Sequence, residues 1–536
     1  MIIVCLTTLL LYYKNSFITE KIFYLAINNT DFMPEKLKIH VTSEIGQLKR
    51  LIIHSPDGGI GKIVPGKFKE WLYDDTVHLS QMRKEYNNYI KLLLFFLDPA
   101  KAKYICDFEK NNPGKNDCYK PESMHYYNSD YVLDTQFLLA KILKNKETRK
   151  RIIAAICAWE GVSTMTEKKL EKINNPHELA KILISGTLKD DKNKNSVFIF
   201  PPLPNFIFTR DIGITINDHF LLSNAHTPAR ERESLLMRYI AQNLLFKNRE
   251  EKLIEISEPG NFFLLDEETQ LKKKTSIEGG DVMMIAPNHL LIGCSERTTA
   301  SGINELVHAI FKNKNTAVEK ISVVKIPKHR AIMHIDTVFT QVRKDMWVLF
   351  GRFSDTHSEE KEKRSYYERI THEDAVDKDF LVEVFRFEKK LNEKYIAQKN
   401  YETDISHKIK GLESLLRNIS IEDFGIAAEE VKIIYSADNI FPYDEREQWT
   451  DSCNLLALKE GVVVGYQRNE KTAESFKQHG FKVVSAEELI KDFSTGKKQP
   501  AQVQNTLILL PDAELSRARG GSHCMSLPLW REKPDK

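Results

Sequence analysis

Two short β-rich runs around a tight turn, then a stretch with helical spacing, then a further apolar run recur along this chain. Four hairpins have the pattern: FTRDIGITINDHFLLS from Phe208, EGGDVMMIAPNHLLIG from Glu278, HIDTVFTQVRKDMWVLF from His334 and TDSCNLLALKEGVVVGY from Thr450. Their alternating runs flank turns such as Asn217-Asp218 and Lys459-Glu460-Gly461, the signature of paired strands. Three of the hairpins continue into a helix-period segment and another strand: Pro228 to Phe246 before Leu253 to Ile256, Thr298 to Phe311 before Val318 to Ile326, and Glu470 to His479 before Phe481 to Ser485. The repeated unit is ββαβ. Repetition of one unit with polar residues at its head predicts an α/β fold of pseudo-symmetric modules around an axis, each delivering an acidic or amide-bearing segment to one centre. A first module is predicted at Gln47 to His54, an apolar strand ending in a Ser-Pro-Asp-Gly-Gly turn.

Two long segments interrupt the modules. From Leu79 to Leu188 the spacing predicts helices over Leu79 to Phe96, Tyr131 to Leu143, Lys150 to Glu160 and Glu167 to Ile173, read as a helical insertion, 79–188. A second, charge-rich insertion, 353–424, is also read as helical, for example over Glu383 to Lys394. Both suit a solvated lid or a contact within a homo-oligomer better than a catalytic part. The catalytic domain is taken as 33–536, with 1–32 an N-terminal extension outside the fold and Met33 an alternative start. Ile2 to Tyr13 is apolar but too short to span a bilayer and lacks the basic region of a signal peptide.

Composition narrows the class. Hydrophobic residues at 42% and charged residues at 29% fit a folded globular chain and exclude a disordered or polytopic membrane protein. Lys+Arg 78 against Asp+Glu 75 leaves +3 with no basic block, so nothing points to nucleic acid or a membrane surface. Seven cysteines, at 5, 106, 118, 157, 294, 453 and 524, form no CxxC pair. That spacing argues against a disulfide framework or a zinc site and for a cytoplasmic, reducing setting with one reactive thiol.

Three segments hold chemistry. Arg519-Gly-Gly-Ser-His-Cys524 places a thiol beside glycines, with Arg519 or His523 near enough in sequence to favour the thiolate. His334-Ile-Asp336 pairs an imidazole with a carboxylate, and Glu278-Gly-Gly-Asp281 sets two acids around pliant backbone. Each has an ordinary alternative: an inert buried cysteine, a satisfied core histidine, two solvated turn acids. Together, at the heads of equivalent hairpins, they are the parts for thiolate attack on an electron-poor carbon in a cation held by carboxylates. A planar guanidinium matches such acids bidentately.

These residues lie in segments that resemble the arginine deiminases of the guanidino-group-modifying superfamily: Pro204 to Asp211, Pro228-Ala-Arg230, Glu278 to Asp281, Gly293 to Thr298, Met333 to Phe339, Arg446 to Trp449 and Arg517 to Ser526. Gly46 to Lys49 and Leu72 to Asp75 look similar too, so the resemblance covers most of 40–536 outside the second insertion. It implies a five-module α/β propeller with a helical domain in the first module, and hydrolysis of free L-arginine to L-citrulline and ammonia without metal or organic cofactor. The only partner implied is the small-molecule substrate. Catalytic roles are implied for Cys524 as nucleophile, His334 as proton carrier, Asp211 and Asp336 as guanidinium clamps, and Glu278 as orienting acid. Arg230, Arg297 and Asn205 would hold the substrate carboxylate, with Phe208 and Asp281 lining the site and Arg519 acting on the thiol or on access. Arg230 and Arg297 are then expected at the end of the pocket opposite the acids. An amidinotransferase, a hydrolase of another guanidino substrate and a non-catalytic arginine-binding protein are the alternatives. The insertion at 353–424, the N-terminal extension, Lys491 to Gln504 and Ile212-Gly213 depart from the family pattern.

Overall fold

The computed structural model describes residues 37–534 except 190–195, 259–261, 313–315, 356–381, 390–394, 400–408 and 410. The N-terminal extension, 1–32, and much of the second insertion therefore lie outside the described residues. The fold is mixed α/β. β1 (Leu48–Ile53) is followed by helices Leu79–Leu97 and Pro99–Asn111 before β2 (Val132–Asp134) returns parallel to it, Leu51 opposite Val132. The predicted helix over Tyr131 to Leu143 is thus corrected at its start. Val132 and Leu133 are buried along β1, and the Asp134 carboxylate accepts from the Gln136 N–H at 2.8 Å, so the helix begins only at Thr135. Helices Thr135–Ile142, Lys146–Trp159, Thr164–Glu171 and Pro176–Ser185 complete the insertion, packing their apolar stripes together. A small hairpin, β3 (Thr187–Lys189) and β4 (Ser196–Phe198), closes it.

The hairpins form where the alternation places them. β5 (Gly213–Ile216) and β6 (His219–Leu222) pair antiparallel, and β7 (Leu253–Ile254) joins β6 in parallel after helix Glu231–Ile240. β8 (Val282–Ala286), β9 (His289–Cys294) and β10 (Lys320–Lys325) repeat the unit around helix Ala300–Lys312. β11 (Phe339–Arg343) and β12 (Met346–Leu349) form the third hairpin.

Two departures follow. Glu383 to Lys389, expected as helix, is strand β13, antiparallel to β10 with β14 (Tyr395–Lys399) outside it. Its EVFRFEK sequence alternates, burying Val384 and Arg386, a period-two pattern that suits a sheet edge and not a helix. Of the described part of that insertion, only Leu412–Phe424 is helical; it leads into β15 (Lys432–Tyr435), parallel to β12. In the last sheet, β16 (Leu456–Lys459) and β17 (Val462–Tyr466) form the hairpin, but β18 (Lys482–Ser485) does not touch it. β19 (Thr506–Leu510) inserts between β17 and β18, its five residues TLILL being nearly all buried. β20 (Leu527–Arg531) returns antiparallel to β1.

The sheets touch in sequence: β20 meets β5, β5 meets β8, the turn at Gly279–Asp281 meets that at Ile335–Thr337, β11 meets β16, and β16 meets β1. Apolar clusters weld these contacts, Met283 and Ile285 packing with Phe339, Leu455 and Ala457. Each acidic head is a single helical turn opening its hairpin: Thr209–Ile212, Gly279–Asp281 and Ile335–Thr337. The Gly279–Asp281 turn packs against both of the other two. Among the described residues no helix is long and apolar enough to cross a membrane.

Candidate active site

The segment between β19 and β20 brings Cys524 to the centre. Gly520 and Gly521 lie against Phe208 and Asn454, where a β-carbon on Gly520 would stand 2.7 Å from Phe208 Cδ1. The Cys524 N–H donates to Asn454 Oδ1 at 2.9 Å, and the Cys524 carbonyl accepts from the Arg210 N–H at 3.0 Å. Its thiol is 3.6 Å from Asp336 Oδ2. Burial, then the charges of Asp336, Asp211 and Asp451, push the thiol well above its ordinary range, favouring its protonated form.

His334 stands between two acids. Its Nε2 is 2.9 Å from Glu278 Oε2 and its Nδ1 is 3.7 Å from Asp211 Oδ1. Burial pulls the imidazole down, but Asp211, Asp281 and the Glu278 hydrogen bond outweigh it and raise it to about 10. The ring is therefore an imidazolium at neutral pH. It packs against Gly280, where any β-carbon would come within 2.8 Å of the ring. Glu278 is held well below the usual carboxylate range: burial opposes this, and His334, Arg297 and Arg230 overcome it. Asp281 is fully buried: it accepts from Ser295 Oγ at 2.6 Å and the Ile335 N–H at 2.8 Å, tying two modules together. Burial raises it to about 7.

Asp336 has a second neighbour, His523, whose Nδ1 is 2.8 Å from Asp336 Oδ2. Asp336 Oδ1 and Asp211 Oδ1 are buried and accept no hydrogen bond. Those two oxygens are free acceptors for a forked cation.

Arg230 differs from expectation. It was expected opposite the acids, yet its guanidinium pairs with Asp211, with Glu233 at 2.9 Å and with Glu278 at 3.9 Å. Glu233 lies one turn further along its own helix, and the carbonyls of Asn205 and Phe208 accept from Arg230 at 3.1 and 3.2 Å. A cation this buried must be surrounded by acceptors, and the acids supply them. The Asn205 side chain is committed to the Trp71 carbonyl at 2.8 Å. Arg297, 3% exposed, has Nε and Nη1 without hydrogen-bond partners. Arg519 lies with its guanidinium 3.6 Å from the centroid of the Trp449 ring and donates to the Arg330 carbonyl at 3.3 Å. It is not among the charges acting most on the Cys524 thiol.

Sequence reasoning missed Asn454, Glu44, Arg210 and Glu233 as parts of the site, and it set His523 beside the thiol, whereas the ring lies against Asp336. Asn454 had a signal, since it stands in the amide-bearing head of the fourth hairpin; Glu44 had none. Donor atoms of Asp211, Glu278 and His334 all lie within 4.8 Å of one another. Arg230 and the imidazolium proton already balance them, so a metal ion there would have to displace both.

A buried thiol, two acids with unbonded oxygens, a glutamate-held imidazolium and a buried arginine whose charge acts on that glutamate are the parts of a cysteine-based site. The profile of the arginine deiminase family matches residues 132–531. The chain belongs to the arginine deiminase family. It is 27% identical over 506 residues to the arginine deiminase of Borreliella burgdorferi (strain ZS7), covering 92% of this chain and 98% of that one. It is 26% identical over 504 residues to the arginine deiminase of Treponema denticola, with 92% and 98% covered. Among solved structures, the amidinotransferase SxtG from Microseira wollei has a TM-score of 0.43 at 11% identity, covering 93% of this chain and 98% of its own.

Proposed function

We propose that the protein hydrolyses the guanidinium of free L-arginine to L-citrulline and ammonia through a covalent cysteine intermediate. The observation that supports this most is the meeting of Cys524, Asp336 and the Glu278–His334–Asp211 set, drawn from four separated segments. Asp211 and Asp336 take the guanidinium on their free oxygens. The arriving cation offsets the carboxylate field that keeps Cys524 protonated, so the thiol gives up its proton to solvent and the thiolate forms where its target is already bound. Sulfur attacks the guanidinium carbon, His334 gives its proton to the departing amine, and the C–N bond breaks to release ammonia. Neutral His334 then takes a proton from water, hydroxide adds to the amidino carbon, and the C–S bond breaks as the new hydroxyl loses its proton to solvent, giving citrulline and the thiolate. Arg297 binds the substrate carboxylate, supported by its buried guanidinium, whose Nη1 has no hydrogen-bond partner and whose Nε faces Glu296 only at 3.8 Å. Arg230 holds Asp211 and Glu278 in place and approaches the substrate from the acid side.

The same reading takes the sheets as five modules of a propeller, supported by the closed sequence of contacts from β20 through β5, β8, β11 and β16 back to β1. It takes 33–536 as the catalytic domain with insertions at 79–188 and 353–424, and the cytoplasm as its location, supported by free thiols at Cys106, Cys118, Cys157, Cys294, Cys453 and Cys524.

Purified protein given L-arginine with a chelator present is expected to yield citrulline and ammonia in equal amounts. Product that forms only when an amine is added would mark amidino transfer instead, and no product at all would overturn the reading. Arg297→Ala is expected to raise KM by about 10- to 100-fold with kcat little changed, because a charge-assisted contact of this kind acts on ground and transition states alike. Steady-state kinetics checks it, and an unchanged KM would remove Arg297 from the carboxylate site.

A further inference from the structure

We propose that His523 is a positioning residue, fixing the Asp336 carboxylate so that one oxygen faces the nucleophile and the other faces the substrate. The inference rests on the arginine-hydrolysis reading but on a residue that reading does not use. His523 Nδ1 is 2.8 Å from Asp336 Oδ2, the oxygen that also stands 3.6 Å from Cys524 Sγ. Asp336, 1% exposed, has its other oxygen unbonded. A carboxylate with one anchored oxygen cannot rotate, and its free oxygen keeps one direction.

The anchor is itself held from behind. Arg210 Nη2 contacts His523 Nε2 and donates to Glu44 Oε2 at 2.7 Å, while Glu44 Oε2 is 3.3 Å from the ring. An ionised carboxylate can only accept, so the 2.8 Å contact to Asp336 Oδ2 puts a proton on Nδ1, while Arg210 and Glu44 both crowd Nε2 and hold the ring from its other edge. Glu44 precedes β1 and Arg210 opens the hairpin that holds Asp211, so the modules themselves orient the ring. Other groups around this network are Arg531, whose charge acts on Glu44, and Tyr89, which donates to the Ser522 carbonyl at 3.0 Å. The ring's remaining side meets a cavity of about 10 Å³ bounded by Glu44 and Gln341 among others, room for a single water at most.

Three variants test this. His523→Asn keeps a donor near the Nδ1 position. His523→Leu removes it, and His523→Gln moves it off Asp336 and serves where the leucine variant does not fold. The leucine or glutamine variant is expected to lose about 100-fold in kcat, the scale of a misplaced catalytic group, and the asparagine variant to recover at least about tenfold of it. A second readout is alkylation of Cys524 by iodoacetamide without arginine, followed by peptide mass against fully buried Cys453. With Asp336 no longer held beside the sulfur, Cys524 should alkylate at lower pH while turnover falls, and Cys453 should stay unlabelled. A leucine or glutamine variant within threefold of wild-type kcat would overturn the proposal. So would an asparagine variant no better than those two, or labelling of Cys453 in step with Cys524, which marks general loosening. Were the wild type to give no citrulline, the functional reading would fail, while the alkylation contrast among the variants would still decide the positioning role.

Discussion

Cys524→Ala is expected to lower citrulline formation by at least about 10⁴-fold, the scale seen when a nucleophile is removed from a covalent mechanism, and to leave arginine bound. Cys453, at the head of the fourth hairpin, is fully buried and pushed up to about 12 by its burial. The alanine retains the backbone N–H that donates to Asn454 Oδ1, so the segment keeps its path. It also removes a thiol that the surrounding carboxylates disfavour as an anion, so binding of the cationic substrate is not weakened by its loss. Calorimetric titration with arginine and a single-turnover citrulline assay check both halves. Turnover above about one thousandth of wild type would remove Cys524 from the nucleophile's role.

His334→Ala is expected to lower kcat by about 10²- to 10⁴-fold, the range for loss of a positioned proton donor and acceptor. The milder His334→Gln variant exposes the charge. In the fold the imidazole is raised from 6.5 to about 10, chiefly against burial, by Asp211, Asp281 and Glu278. A raised pKa stabilises the fold fully below the unfolded value and loses that contribution as pH rises through the folded one. The melting-temperature advantage of wild type over His334→Gln should therefore be largest below pH 6.5 and shrink on the way to pH 10. A difference that stays flat over this window would mean that His334 is neutral in the fold, and its role as first proton donor would fall with it. Removing either residue tests a different half of the reaction, since Cys524 forms the bond to carbon and His334 manages the protons on both sides of it.

Much was legible along the chain itself because it is local. Alternation and turn residues are enough to place β5–β6, β8–β9, β11–β12 and β16–β17, and helical spacing places Leu79–Leu97. Cys524, His334, Glu278, Asp211 and Asp336 stand at hairpin heads or beside glycines, where short-range pattern and backbone freedom mark them. What only the tertiary structure decided depends on partners far away in sequence. β2 is a strand because β1 lies beside it, β13 because β10 offers an edge, and β19 separates β17 from β18 because its run of apolar residues needs cover on both faces. The place of Arg230 among Asp211, Glu233 and Glu278, and the link from Glu44 and Arg210 through His523 to Asp336, arise only once separate modules bring their charges within hydrogen-bond distance. A buried charge takes its partner from whatever the fold packs against it, and that neighbour is not written in the spacing of residues around it.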